Sequence, residues 1–220
     1  MSDPASRGLR FGFELRVVAT VAALGLWFWT QSLIGRRIPA EGIGDALHNL
    51  FAGLNLYFWA HATAANVLLV VSSAFIDIFG LFLVAEWIFL GRSRAFLGLV
   101  LLLGLRQVMQ ALCTLPAPPN MIWRNPGFPS LFVTYSVGND YFFSGHTAIA
   151  VFGAMELARL RRGWLTALAI AIVIFEIVTV LILRAHYTMD VFTGAVTALW
   201  VAAFCDWVAP RIDRRTASSS

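Results

Sequence analysis

The sequence predicts an all-α integral membrane protein, a bundle of six transmembrane helices with both termini in the cytoplasm. Three observations lead to this fold class. The 220 residues are 59% hydrophobic and only 13% charged, whereas a soluble domain carries about 25% charged residues. The apolar residues form long runs, which are typical of helices that face lipid. All 16 basic residues are Arg, and most of them cluster between the runs, as they do at the flanks of membrane spans.

Six of the apolar runs approach the roughly 20 residues that a helix needs to cross the hydrocarbon core. The first run follows Arg7, Arg10 and Arg16. It is longer than the core of a signal peptide, so we predict a span that is retained. The predicted spans are residues 17–34, 64–90, 95–114, 141–160, 163–184 and 187–208. The chain then consists of a cytoplasmic segment, a membrane domain and a polar tail, at residues 1–16, 17–210 and 211–220.

Two segments between the spans have a different composition. Residues 38–58 mix polar, apolar and Gly residues, and we expect an amphipathic piece that lies along the membrane interface. Residues 115–140 hold five of the eight Pro residues, so this segment is predicted to be a loop rather than a helix.

The distribution of Arg predicts the orientation of the spans. With the N-terminus inside, the cytoplasmic segments hold eleven Arg residues and the opposite segments hold four. The eleven are Arg7, Arg10, Arg16, Arg92, Arg94, Arg159, Arg161, Arg162, Arg211, Arg214 and Arg215, and the four are Arg36, Arg37, Arg124 and Arg184. The positive-inside rule favours this arrangement, which puts the loop 115–140 on the non-cytoplasmic face. Arg at membrane flanks does not form a nucleic-acid-binding surface, and we expect no nucleic-acid partner.

Two short polar segments lie at the non-cytoplasmic ends of the fourth and sixth predicted spans. The first, DYFFSGHT, occupies residues 140–147, and the second, HYTMDV, occupies residues 186–191. The orientation derived from Arg alone puts both segments on the same face of the membrane. Their side chains are therefore expected to form one shared site.

The second segment has the residues of an activated nucleophile. His186 and Asp190 are four residues apart, so on a helix they would share a face. A carboxylate in that position can accept a hydrogen bond from one imidazole nitrogen. This contact fixes the tautomer and leaves the other nitrogen as a nucleophile.

The first segment has the residues of a phosphate-binding helix start. The free backbone N–H groups and the Ser144 hydroxyl can hold phosphate oxygens, Gly145 lets the backbone come close, and His146 can act as a general acid. A single His at a membrane interface is usually a polar anchor, and this is what we expect of His48 and His61, with contact to substrate as the alternative for His61. For His146 and His186 together, the pattern favours a phosphoryl-transfer site.

These segments resemble the phosphatidic-acid-phosphatase type 2 superfamily, and within it the sphingomyelin synthase branch. That branch has a D-x-x-x-S-G-H-T segment and an H-Y-T-x-D-V segment, and every fixed position is matched here. Arg106 also precedes Pro116 of a T-L-P-x-P segment by ten residues, as in the branch. The resemblance covers roughly residues 70–208. The chain differs from the branch at Gly138, Asn139 and Met109, and Asp77 is only a loose candidate for its Pro-rich acidic segment.

The resemblance implies a membrane phosphotransferase. Such an enzyme moves phosphocholine or phosphoethanolamine from a glycerophospholipid to a lipid alcohol, ceramide or diacylglycerol, through a phosphohistidine. His186 would be the nucleophile, Asp190 would orient it, and His146 would be the acid and base. The residues implied to bind the substrate or its phosphate are Ser144, Gly145, Thr147, Asp140, Arg106 and Tyr187. No cofactor and no metal is implied, and homo-oligomerisation is left open.

Two other functions use the same residues differently. A lipid phosphatase would have the same His/His/Asp set with water as the acceptor, but that branch has a Lys, a Pro at position 143 and an Arg at position 180. This chain has no Lys, and it has Phe143 and Val180, so it lacks cations for a phosphomonoester dianion. A non-enzymatic transporter or scaffold is the second alternative. Inside the bilayer, Arg106 and Glu176 could form an ion pair or line a head-group cavity.

Overall fold

A computed structural model describes residues 13–35, 42–135 and 141–217, which are helical or irregular and contain no strand. The helices within them are α1 Phe13–Gly35, α2 Ala46–Leu50, α3 Ala52–Ala60, α4 Ala62–Leu90, α5 Ser93–Leu112, α6 Gly145–Ala158, α7 Gly163–Ile182 and α8 Thr188–Ala217. The chain divides into two units, Met1–Gly44 and Asp45–Ser220. The first unit contributes α1, whose apolar part is Thr20–Thr30.

Four of the predicted membrane spans are confirmed as helices of sufficient length and hydropathy. They are α4, α5, α7 and the part Thr188–Asp213 of α8. Large apolar side chains on these helices, such as Ile88 and Trp164, are exposed, as expected for surfaces that contact lipid. The described chain therefore has the helices of a multi-spanning membrane protein. A transmembrane position for α1 and the orientation of the termini remain predictions.

The predicted fourth span, 141–160, is shorter in the structure. Helix α6 has 14 residues, or about 21 Å at 1.5 Å per residue, which is less than the roughly 30 Å hydrocarbon core. It begins late because Ser144 is its N-cap. It packs against α4, α5, α7 and α8, and Phe152 at its centre fills the space beside Gly98, where a Cβ would overlap the ring. Thus α6 is the central helix of the second unit.

Of the segment predicted to lie along the interface, residues 45–58 form α2 and most of α3, which belong to the second unit, and the interfacial position remains a prediction. Helices α2 and α3 contact α7, and α3 also contacts α4. His48 and Asn55 are buried, at 4% and 1% exposure. The prediction that His48 is an interface anchor was therefore wrong. His61 is exposed and its ring contacts the carbonyl oxygen of Tyr57.

The predicted Pro-rich loop is irregular between residues 113 and 135, and its last five residues, 136–140, lie outside the described chain. Asp77 on α4 accepts hydrogen bonds from the Ser130 hydroxyl and from the amides of Leu131 and Phe132. Asp77 therefore anchors the loop to α4. Because the loop folds back onto the helices here, it can cover the polar segments at this end of the second unit.

A group of charged residues joins the opposite ends of α5, α6 and α8. Arg94 at the start of α5 forms ion pairs with Glu156 on α6 and Asp206 on α8, and Arg159 also contacts Asp206. We call these four residues the arginine cluster. Arg94 lies about 18 Å from Arg106 along the axis of α5, so the cluster is far from the histidines.

Candidate active site

The start of α6 is held by side-chain and backbone hydrogen bonds. The Ser144 oxygen accepts hydrogen bonds from the amide and the hydroxyl of Thr147, at 3.3 and 3.0 Å. The Ser144 amide donates to the carbonyl oxygen of Asp190 at 3.1 Å. Both side chains are fully buried. Their observed contacts fix the helix start, and phosphate binding by Ser144 and Thr147 remains a prediction.

A glycine lets the starts of α6 and α8 approach each other. A Cβ atom at Gly194 would lie 2.6 Å from the carbonyl oxygen of Ser144, a distance that no side chain could occupy without displacing α6. The absence of a side chain at Gly194 thus allows the two histidine segments to meet.

The contacts of His186 define which ring nitrogen carries the proton. Its Nδ1 lies 2.7 Å from the carbonyl oxygen of Tyr141. Because a carbonyl oxygen only accepts hydrogen bonds, Nδ1 must be the protonated nitrogen of the neutral ring. The Nε2 atom then keeps its lone pair and can act as a nucleophile.

Asp190 does not form the hydrogen bond to His186 that the four-residue spacing predicted, and its role in catalysis remains a prediction. His186 precedes α8, which begins at Thr188, so the two residues do not share a helix face. The Asp190 Oδ2 atom is 3.8 Å from His186 Nδ1, too far for a hydrogen bond, and it accepts the Tyr187 amide at 2.9 Å instead. The Tyr141 carbonyl oxygen accepts the hydrogen bond that sets the tautomer, and the buried Asp190 carboxyl group lies beside the ring.

His146 and His186 line one cavity of about 40 Å³, together with Arg106, Trp123 and Gly145. The Nε2 atom of His146 is buried and has no hydrogen-bond partner among the described residues. The Trp123 ring packs edge-on against the His146 ring with 5.1 Å between the centroids. The structure therefore brings together the two histidines that the sequence singled out.

Arg106 also belongs to this cavity. Its Nε atom donates to the Phe143 carbonyl oxygen at 3.2 Å, and a Cβ at Gly145 would lie 3.0 Å from the same nitrogen. Glu176 is bound elsewhere, because it accepts a hydrogen bond from the Ser72 hydroxyl at 2.6 Å. The suggested ion pair between Arg106 and Glu176 is therefore not formed.

The remaining predicted site residues lie outside the cavity or outside the described chain. The Tyr187 hydroxyl donates to the Pro116 carbonyl oxygen at 3.2 Å, which ties the start of α8 to the Pro-rich loop. Asp140 lies outside the described residues. Where the chain is described, no group of three or more His, Cys, Asp or Glu side chains has the spacing of a metal site.

Sequence reasoning missed four groups near the histidines: Asp45, His48, Trp123 and the Tyr141 carbonyl. The Nε2 atom of His48 is 2.9 Å from the His186 carbonyl oxygen. The one available signal was Asp45, a preferred N-cap residue directly before α2. Trp123 lies in the Pro-rich loop, where hydrophobic periodicity gives no information.

A family model described as AtPDCT1/2 matches residues 45–209, which is more than half of the chain. The chain belongs to the AtPDCT1/2 family. The match begins at Asp45 and so includes α2 and α3, which the resemblance over residues 70–208 had left out. The more specific assignment to the sphingomyelin synthase branch remains a prediction.

This member of the AtPDCT1/2 family is similar to phosphatidylcholine:diacylglycerol cholinephosphotransferase 1 of Arabidopsis thaliana. The two are 25% identical over 129 residues, which are 59% of this chain and 42% of that protein. The aligned region therefore spans less than half the length of that relative. No solved structure gives a significant match.

Proposed function

We propose that the protein transfers a phosphorylated head group between membrane lipids through a phosphohistidine on His186. The observation that carries this proposal is the pair of histidines in one cavity. The Nδ1 atom of His186 faces the Tyr141 carbonyl oxygen, a contact that requires the proton on Nδ1 and leaves the lone pair of the neutral ring on Nε2, and the ring of His146 lines the same space. A nucleophile and a separate acid are the two groups that a double-displacement reaction requires.

In the first step, the Nε2 lone pair of His186 attacks the phosphorus of a glycerophospholipid. The bond between phosphorus and the glycerol oxygen breaks, and protonated His146 gives its proton to that oxygen. Diacylglycerol leaves, and the head-group phosphate remains bonded to His186. The buried carboxylate of Asp190, 3.8 Å from Nδ1, stabilises the positive charge that develops on the ring.

In the second step, a lipid alcohol enters the place of the departed diacylglycerol. His146, now neutral, takes the hydroxyl proton, the alcohol oxygen attacks phosphorus, and the bond to Nε2 breaks. Both histidines return to their starting protonation states. Each step therefore uses His146 once, as an acid and then as a base.

Phosphatidylcholine is the proposed donor and diacylglycerol the proposed first acceptor. The similar Arabidopsis protein is named for these two lipids. The resemblance to sphingomyelin synthases supports ceramide as a second acceptor. The charge of the site also favours a phosphodiester, which carries one negative charge, because the chain has no Lys and Arg106 lines the cavity.

The site is proposed to face the non-cytoplasmic side, because of the eleven-to-four distribution of Arg. The chain has two Cys residues, of which Cys113 is exposed and Cys205 is buried. Cys113 directly follows α5, at the same end as Arg106. In a Cys205→Ser background, an impermeant maleimide should label Cys113 from outside sealed cells. Arg161→Cys in a Cys-free background should react only after permeabilisation, and the reverse pattern would invert the orientation.

The function is tested with a donor and an acceptor that carry different labels. Purified protein in vesicles receives phosphatidylcholine with deuterated choline, and diacylglycerol with a deuterated glycerol. Transfer predicts a phosphatidylcholine that carries both labels, and His186→Asn should form none. A parallel sample with ceramide tests whether the deuterated head group appears on sphingomyelin.

The competing functions predict other products. A phosphatase would release inorganic phosphate from phosphatidic acid and form no doubly labelled lipid. A phosphodiesterase would release free phosphocholine at the same rate with and without an acceptor. A transporter or scaffold would retain its cellular function in the His186→Asn variant. Any of these outcomes, together with the absence of labelled lipid products, would contradict head-group transfer.

A further inference from the structure

We propose that Asp45 and His48, which we call the α2 clamp, are positioning residues that hold His186 in its reactive orientation. The proposal rests on the function of His186 given above. It assigns a role to a segment that precedes the four long helices and contributes no residue to the cavity wall. The two residues bind three consecutive positions of the chain around the nucleophile, residues 186–188.

The carboxylate of Asp45 joins the starts of two helices. Its Oδ1 atom accepts the amides of Leu47 and His48, at 3.0 and 3.1 Å, which caps α2. Oδ1 also accepts the Thr188 hydroxyl at 2.7 Å, and Oδ2 accepts the Thr188 amide at 2.6 Å. Thr188 is the first residue of α8, so one side chain fixes α2 relative to the segment that carries His186.

The charge of Asp45 is favoured by these contacts. Partial burial raises the pKa of Asp45, but the hydrogen bonds from Thr188 and the His48 amide lower it by more, so that the pKa lies below its usual value. A charged acceptor makes stronger hydrogen bonds than a neutral one. The link between α2 and α8 is therefore expected to persist at neutral pH.

His48 contacts the other two residues of this stretch, His186 and Tyr187. Its Nε2 atom lies 2.9 Å from the carbonyl oxygen of His186, to which it donates. Its ring stacks on Tyr187 with 5.6 Å between the centroids. Arg184 in turn donates to the carbonyl oxygens of His48 and Pro119, so His48 is itself linked to the Pro-rich loop.

Together with the Tyr141 carbonyl, the clamp fixes both the backbone and the ring of His186. The Tyr141 carbonyl sets the rotation of the ring through Nδ1. The clamp sets the position of the backbone to which the ring is attached. A displacement of about 1 Å at a reacting atom can lower a rate by about 10²-fold, so this backbone restraint has a direct kinetic consequence.

The decisive variants break the clamp without removing the cap of α2. In Asp45→Asn, the amide oxygen can still accept the Leu47 and His48 amides, because Asn is a good N-cap residue. Its NH₂ group, however, would face the Thr188 amide, and two donors cannot bond, so of the two hydrogen bonds with Thr188 only the one from its hydroxyl could remain. His48→Leu removes the donor to the His186 carbonyl, whereas His48→Gln supplies an amide N–H in its place.

Asn55→Leu is the matched control. Asn55 on α3 is also buried, and its hydrogen bonds go to the carbonyl oxygens of Ile182 and Asn120 rather than to residues 186–188. It is expected to lower the thermal midpoint of the protein as much as the clamp variants do. The rate per folded molecule should stay within about threefold of the wild type.

Two measurements are made on each variant. In the transfer assay, Asp45→Asn and His48→Leu should lower kcat by about 10²-fold with KM for the donor within about threefold, and His48→Gln should recover most of the loss. In the second measurement, nitrogen-15 histidine NMR of the protein with its four His residues reports the tautomer of His186 without any substrate. The wild type should have the proton on Nδ1, and the clamp variants should have a mixture of tautomers.

The two measurements separate the clamp from the function on which it rests. If the wild type transfers head groups while folded Asp45→Asn and His48→Leu keep wild-type kcat and tautomer, the clamp is wrong and the function stands. If the wild type gives no transfer but the variants change the His186 tautomer, the positioning role stands and the proposed function fails. If Asn55→Leu lowered kcat as much as the clamp variants do, the fall in kcat would reflect a general loss of structure. The positioning role of Asp45 and His48 would then be wrong.

Discussion

The two ends of α5, α6 and α8 differ in how their buried polar atoms are paired. In the arginine cluster, the Nη1 atom of Arg94 and the Oε1 atom of Glu156 are buried without a hydrogen bond among the described residues, but they form an ion pair with each other, and Arg94 also binds Asp206. At the other end of the same helices, the Nε2 atom of His146 and the Oδ1 atom of Asp190 are buried without a hydrogen-bond partner in the described chain. Both ends are polar, and both lie in a mainly apolar bundle.

The pairing of buried polar atoms distinguishes a structural cluster from a reactive site better than the volume of the adjacent cavity does. The cavity beside the arginine cluster measures about 500 Å³, against about 40 Å³ between the histidines. Its arginines and most of its carboxylates are nevertheless satisfied by each other. Buried polar atoms without partners are costly, and in the cavity between the histidines a substrate can supply the missing partner of His146. We therefore assign stability to the arginine cluster and chemistry to the histidine end.

The largest effect is expected at the nucleophile. In His186→Asn, the amide nitrogen can replace Nδ1 and keep the hydrogen bond to the Tyr141 carbonyl, but no nucleophilic nitrogen remains. We expect head-group transfer to fall by at least about 10⁴-fold, measured with the doubly labelled lipid pair. The control at the opposite end is Arg159→Gln, which should leave kcat within about threefold. Substantial transfer by folded His186→Asn would remove the distinction between the two ends.

A smaller effect is expected for Asp190→Asn. Because the Tyr141 carbonyl holds the tautomer, this change removes the charge near the ring but leaves the ring oriented. The Asn oxygen can still accept the Tyr187 amide. We expect kcat to fall by about 10²- to 10³-fold, less than the roughly 10⁴-fold loss that follows when a triad carboxylate controls the tautomer. A loss near 10⁴-fold would show that Asp190 orients His186 directly, and an unchanged kcat would show that its charge is not used.

At the arginine cluster, the expected effect is on stability alone. Arg94→Met would leave the carboxylate of Glu156, which is 7% exposed, without its cation. Breaking a buried pair in this way costs about 3–5 kcal/mol, which should appear as a lower thermal midpoint in detergent. The half-exposed pair of Arg159 with Asp206 should contribute at most about 1 kcal/mol. If Arg94→Met lowered kcat of the folded protein by 10-fold or more, the arginine cluster would be more than structural.

No effect is expected from metal removal. The described residues contain no metal-ligand cluster, and the proposed nucleophile is an imidazole rather than a metal-bound water. Dialysis against EDTA should leave the transfer rate within experimental error. A complete loss that added divalent metal restores would mean that a ligand set exists and that the histidine end works differently.

The sequence predicted the long helices and the two histidines well, for physical reasons. Hydropathy reports burial in lipid directly, and four of the long apolar runs are helices of the expected length. The two His segments could be paired because the distribution of Arg put both at one end. Helix α6 was predicted too long because apolar composition does not distinguish a lipid-spanning helix from a short one enclosed by other helices.

The α2 clamp and the His186 tautomer could not be predicted in the same way. Asp45 and His48 act on residues that are 143 and 138 positions away in the chain, and a five-residue helix has no periodicity to detect. The spacing of His186 and Asp190 suggested a shared helix face. The helix begins two residues after His186, and the hydrogen bond from Nδ1–H is accepted by a backbone carbonyl oxygen, which has no sequence signature.

The central claim is that His186 carries the head group between donor and acceptor. The direct measurement is to mix the protein with choline-deuterated phosphatidylcholine in the absence of acceptor, quench within one turnover in alkali, and analyse peptides by mass spectrometry. We predict labelled phosphocholine on the peptide that contains His186. The adduct should disappear on addition of diacylglycerol as labelled phosphatidylcholine forms. Full-rate transfer with no adduct on His186, or with the adduct on another residue, would contradict the account.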